Sequence, residues 1–135
     1  MKYPGLGAAK VIDVTIEQIL KQCKTIAVIG LSSKPEKAGY YVPHYLEQHG
    51  YRILGVSPAL GRTLIDLDRP IDLVLLFRRA EELPGHLAEI LQVRPSAVWM
   101  QTGIRHSDFK AALEKSGISV IEDRCMMIEH RGLFG

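Results

Sequence analysis

The segment Gly30-Leu31-Ser32-Ser33-Lys34-Pro35-Glu36-Lys37 gathers groups that together receive an anion. Glycine lets the backbone come close, the hydroxyls of Ser32 and Ser33 donate hydrogen bonds, and Lys34 adds a cation. The segment follows a short apolar run and precedes a helical pattern, so free amides and the positive end of a helix would meet the same ligand. Phosphate is the chemistry this suits, although the same residues would also make a plain solvated turn. Ser32 stands where Gly-x-Gly-x-x-Gly has its second glycine, and no Gly-Lys-Ser/Thr ending follows, so ordinary NAD and ATP loops lose ground.

Other candidates lie further along. Dinucleotide enzymes that prefer NAD place an acid after the second strand to hold the ribose. Here Gly55-Val56-Ser57-Pro58 offers none, and Arg62 suits a phosphorylated ribose, as in NADP or coenzyme A, or is plain surface. Arg78 and Arg79 follow the third apolar run, where one could face a crevice. Five histidines, His44, His49, His86, His106 and His130, show no i,i+4 pair, so no metal site is expected. His130 and Glu129 are adjacent, hence on different helix faces; His130 is expected in solvent with no catalytic role.

The elements that must position these groups follow from periodicity. Thr25–Ile29, Tyr51–Val56, Ile71–Phe77, Ala97–Met100 and Ser119–Glu122 read as strands. Helices are expected from the Thr15/Gln18 capping-box spacing to about Cys23, over Gly39–His49, Leu83–Gln92 and Ser107–Ser116, and from Met126 to His130. If the second helix starts near Tyr41, Pro43 falls in its first turn, where a missing N–H costs little. Alternating strands and helices of ~10 residues imply an α/β, Rossmann-like, doubly wound parallel sheet of five strands. The expected order is 3-2-1-4-5, with the ligand crevice where the winding reverses, between strands 1 and 4. Trp99 and Met100 are expected in the core.

Composition bounds the rest. The 135 residues suit one domain spanning 1–135, its leading helical segment included, and no repeat or low-complexity tract divides them. At 47% hydrophobic and 24% charged, the chain is neither disordered nor fibrous. No apolar run approaches the ~18 residues of a membrane span, and no secretory signal opens the chain, so a cytoplasmic location is expected. The net charge of +2 gives no general attraction to nucleic acid. Cys23 and Cys125 lie far apart, without metal-ligand spacing, which excludes a disulfide scaffold or zinc finger.

Six ordered blocks carry a resemblance. They are Ile26–Pro35, His49–Ile53, Ser57-Pro58, Phe77-Arg78-Arg79, Ala97–Gly103 and Asp123–His130. Together they resemble the small coenzyme-A-binding proteins whose domain is shared with the succinyl-CoA synthetase alpha subunit. The resemblance implies that Gly30, Ser32, Ser33 and Lys34 meet the pyrophosphate and that Ser57 and Pro58 border the adenosine. It also implies that Phe77 and Arg78 line the crevice, while Gln101 and Gly103 close it. Two departures stand out: Ser57 replaces the family's usual asparagine, and Arg62–Pro70 is short, which could remove part of the adenine wall.

The reading is a protein that binds coenzyme A or an acyl-CoA as a carrier, sensor or regulator, its partner a small nucleotide ligand. Oligomeric state is left open. Ligase chemistry is not expected, because it resides in further domains of the larger relatives. Cys125, preceded by Arg124 and followed by a helix, is a candidate reactive thiol that could form a mixed disulfide with coenzyme A. It could equally be a small buried hydrophobe, as Cys23 is expected to be. The rival readings are a small NADP-dependent or Cys125-based oxidoreductase, and a partner subunit without a ligand.

Overall fold

The structure, a computed structural model, describes residues 15–56, 63–67 and 69–135. Ser57, Pro58 and Arg62 lie outside them, as does the chain before Thr15. Along the chain run α1 (Ile16–Gln22), β1 (Thr25–Ile29), α2 (Ala38–Gln48), β2 (Arg52–Val56) and β3 (Leu73–Leu76). Then come α3 (Leu87–Val93), β4 (Ala97–Met100), α4 (Ser107–Lys115), β5 (Ser119–Ile121) and α5 (Met126–Phe134). Short 3₁₀ segments cover Leu64–Asp66 and Ala80–His86.

All four strand pairings are parallel, as the expected doubly wound sheet requires. The order is β2-β1-β3-β4-β5. The third strand therefore lies against β1, not outside β2, and the winding reverses between β1 and β3. Burial explains the placement. Leu73, Val74, Leu75 and Leu76 are all buried, as a strand covered on both faces must be. Arg52 of β2 is exposed and its two successors only half-buried, which suits an edge.

The period of two in β1 divides the core. Ile26 and Val28 pack with Ile19, Leu20, Val42, Leu46 and Met126 under α1, α2 and α5. Ala27 and Ile29 point the other way, toward Leu83, Ile90, Phe109 and Leu113 under α3 and α4. Trp99 and Met100 are fully buried, as expected, and so is Cys23.

Local signals acted where expected at α1, whose Thr15 accepts from the Gln18 amide at 3.1 Å while the Gln18 carboxamide accepts from the Thr15 amide at 2.8 Å. The helix expected over Leu83–Gln92 is divided. Ala80–His86, which contains Pro84, winds as 3₁₀, and α3 proper starts at Leu87.

Candidate functional site

At the reversal between β1 and β3, two glycines set the geometry. Gly30 leaves β1 with φ +97°, and a Cβ there would stand 2.6 Å from the Phe77 carbonyl oxygen. Only glycine lets these two strand exits come so close. Gly39, in the first turn of α2, is as constrained: its Cβ would meet the Gly30 oxygen at 2.7 Å. The helix thus begins hard against the strand it follows.

Pro43 completes the arrangement from inside α2, not from its first turn as the sequence suggested, because the helix already begins at Ala38. An ordinary residue at position 43 would donate its N–H to the Gly39 carbonyl; proline cannot. That carbonyl instead accepts from the Ser32 amide at 3.1 Å. Lys34 donates its amide to Ser32 Oγ at 3.1 Å, and Lys37 donates its own to the Lys34 oxygen at 2.9 Å. The bend is therefore shaped by its own chain. Among the described residues no side chain caps α2, which leaves the amides of Ala38 and Gly39 without an intrahelical partner on the wall of a crevice.

This crevice, about 980 Å³, opens at the carboxyl end of the sheet. It is lined by Gly30, Ser32, Lys34 and Lys37 from the β1–α2 loop, by Phe77, Arg78 and Arg79 after β3, by Gln101 and Gly103 after β4, and by Cys125. Of the expected site residues within the described chain, only Ser33 does not line it. The side chains of Lys34 and Lys37 pair with no carboxylate among the described residues. The arginines differ: Arg79 Nη2 bonds Glu82 at 3.2 Å, and Arg78 Nε lies 3.1 Å from Glu82 without hydrogen-bond alignment, so that buried N–H is unsatisfied. The Arg79 hydrogen bond, with both guanidinium charges, holds the Glu82 carboxyl below its ordinary range.

A smaller groove of about 350 Å³ lies on the other side of Ser32, lined by Leu31, Tyr40, His44, Ile53 and Gly55. Ser32 borders both chambers. The groove runs toward the exit of β2, two residues before Ser57.

Three ties fix the loop that carries Cys125. Gln101 is buried, and its Oε1 accepts the Met126 amide at 2.9 Å. Trp99 Nε1 donates to the Arg124 oxygen at 2.8 Å. Asp123, at φ +56°, accepts the Gly103 amide at 2.6 Å and the Arg105 guanidinium at 3.0 Å. The Gly103 bond first, then Arg105, keeps its carboxyl below the ordinary value. Cys125 is half-buried at the N-cap of α5. The neighbouring Arg124 guanidinium pairs with Glu129 at 3.3 Å, so its charge is directed to α5.

His130 departs from expectation. It is buried at 8% exposure, and its Nδ1 is 2.8 Å from Tyr45 Oη on α2. His49, Tyr51 and Phe134 pack their rings around it. Burial, then the nearby His49 and Lys24, lowers its pKa. The adjacency of Glu129 points to the wrong face. The useful signal is the four-residue spacing from Met126, which puts both side chains on one inward stripe. Among the described residues no group of three or more His, Cys, Asp or Glu could hold a metal, and no helix is long and apolar enough to cross a membrane.

The sequence profile of the family described as "CoA binding domain" matches residues 24–131, the sheet and every element that lines the crevice. The chain belongs to this CoA-binding family. Among similar proteins is Bacillus subtilis (strain 168) YneT, 37% identical over 123 residues, covering 85% of this chain and 91% of that protein. A solved Thermus thermophilus structure is 42% identical with a TM-score of 0.84, over 90% of this chain and all of its own. Another, from Pyrococcus horikoshii OT3, is 29% identical with the same TM-score and covers 100% of this chain and 99% of its own.

Proposed function

We propose that this member of the CoA-binding family holds coenzyme A across the bend after β1, as a binding module that carries or senses the nucleotide. The observation that carries this reading is the convergence, at the reversal of winding, of an uncapped helix start and two lysines that pair with no carboxylate among the described residues, all on one crevice. The donor set fits a pyrophosphate: Lys34 and Lys37 supply charge, the first-turn amides of α2 supply hydrogen bonds, and Ser32 borders both chambers. A ligand with phosphates in its middle matches that layout. Its adenosine would enter the smaller groove toward β2, and its pantetheine arm the larger crevice.

Isothermal titration of the purified protein with coenzyme A tests the proposal. Saturable heat is expected, and its absence from a folded sample would sink the reading. Lys34→Ala should weaken binding by about tenfold, the worth of one charge-assisted hydrogen bond of ~1.5 kcal/mol. Added salt should weaken it further. An NADP-dependent enzyme, the rival reading, would instead show NADP displacing coenzyme A from the same site. Cys125 lies in the crevice wall, so incubation with oxidised coenzyme A and intact-mass measurement tests the thiol separately. Attack by the Cys125 thiolate on the disulfide would leave one coenzyme A on the protein and release the other as its thiol.

A further inference from the structure

The two walls of the main crevice differ in chemistry. The cations of its rim are Lys34 and Lys37, since Arg78 and Arg79 share the carboxylates of Glu81 and Glu82, whereas the side formed by α2 and α5 presents Tyr41, Met127 and Ile128. Tyr41 is 42% exposed and Ile128 59% exposed, large apolar surfaces left in water beside a cationic rim. Lys37 and Tyr41 are four residues apart at the start of α2, so the transition from charge to apolar surface takes one helical turn. Met127 and Ile128 follow Cys125 in the first turn of α5, a segment fixed in place by the Gln101 and Trp99 hydrogen bonds. The apolar surface is therefore held by packed elements rather than by a loose loop.

We infer that the α2–α5 wall, Tyr41 with Met127 and Ile128, seats the apolar acyl group of a coenzyme A thioester, so that the preferred ligand is an acyl-CoA rather than the free thiol. The inference rests on the coenzyme A reading above. It commits to an occupant with an anionic middle and an apolar end because the cationic rim and the apolar wall belong to one continuous crevice. Each methylene buried there should raise affinity about fourfold, the equivalent of ~0.8 kcal/mol.

The test is calorimetric titration of the full chain with coenzyme A, acetyl-CoA, butyryl-CoA and hexanoyl-CoA, repeated with Ile128→Glu. Ile128 is exposed, so the variant should fold, which its circular dichroism and thermal transition verify. Affinity is expected to rise at least tenfold from acetyl-CoA to hexanoyl-CoA in the native chain, and Ile128→Glu should abolish most of that ratio. Equal affinities along the series, with coenzyme A itself binding, would overturn this inference and leave the coenzyme A reading intact. No binding by any of the four would overturn both. If sedimentation shows a dimer that Ile128→Glu dissociates, and the series is flat, the wall covers a second copy of the chain and the acyl assignment is wrong.

Discussion

Replacing Gly39 by alanine sets two effects of opposite sign against each other. In a helix, alanine is favoured over glycine by up to ~1 kcal/mol. Here the added Cβ would stand 2.7 Å from the Gly30 carbonyl oxygen, about 0.7 Å short of an ordinary 3.4 Å contact, and the obstructing atom is backbone. Either α2 retreats from β1 or the exit of β1 bends, and overpacking of this kind costs ~1–3 kcal/mol. The net expectation is destabilisation by about 1–2 kcal/mol, a fall in Tm of roughly 4–8 °C for a domain of this size. Gly132 is the matched control, because it lies within α5, a Cβ added there would meet nothing inside 4 Å, and its φ is not unusual. Gly132→Ala should therefore raise Tm by up to ~4 °C. Differential scanning calorimetry of both variants decides the matter. Gly39→Ala at or above the wild-type Tm would refute the close-approach argument, as would two shifts of the same sign.

Three further outcomes are expected. Pro43→Ala restores an N–H that competes with Ser32 for the Gly39 carbonyl, so amide exchange at Ser32 should accelerate and coenzyme A affinity fall while Tm holds or rises; unchanged exchange at Ser32 would contradict this. His130 has a folded pKa below its unfolded value of 6.5, so the unfolded chain takes up its proton first. Stability should be intact above pH 6.5 and decline as pH drops from there to the folded value; His130→Gln should flatten that part of a denaturant-titrated pH profile. Asp123 has a depressed carboxyl, so its contribution is present above the unfolded carboxylate range and lost as pH falls through the folded value. Asp123→Asn should remove that acid-side loss, measured as Tm between pH 5 and 2.

Much of the architecture is legible because it is written locally. The Thr15/Gln18 box, the β-branched run of β1 and the glycine after α4 each act within one or two turns of chain. The position of the third strand is harder to read, since helix–strand alternation fits several winding orders. The contrast between unbroken Leu73-Val74-Leu75-Leu76 and the mixed Arg52-Ile53-Leu54-Gly55-Val56 holds the cue, for a run with no polar side chain cannot take an edge. At the site, the loop after β1, Phe77-Arg78, Gln101 and Gly103 do come together on one crevice. Contacts across long separations leave no local trace: Tyr45 meets His130 across 85 positions of chain, and nothing in either neighbourhood announces it. Lys37, Gly39 and Tyr41 read as ordinary helix entry, and their importance depends on what the β1 exit places opposite them.

The Ser32 amide bond to the Gly39 carbonyl bears on how far this bend could be transplanted. Its curvature is imposed by a residue eleven positions downstream of Ser32, where the missing hydrogen of Pro43 leaves an acceptor vacant. A graft of the octapeptide Gly30–Lys37 onto another scaffold would carry the side chains and lose the shape. The smallest portable unit runs through Pro43, half a helix longer than the loop itself.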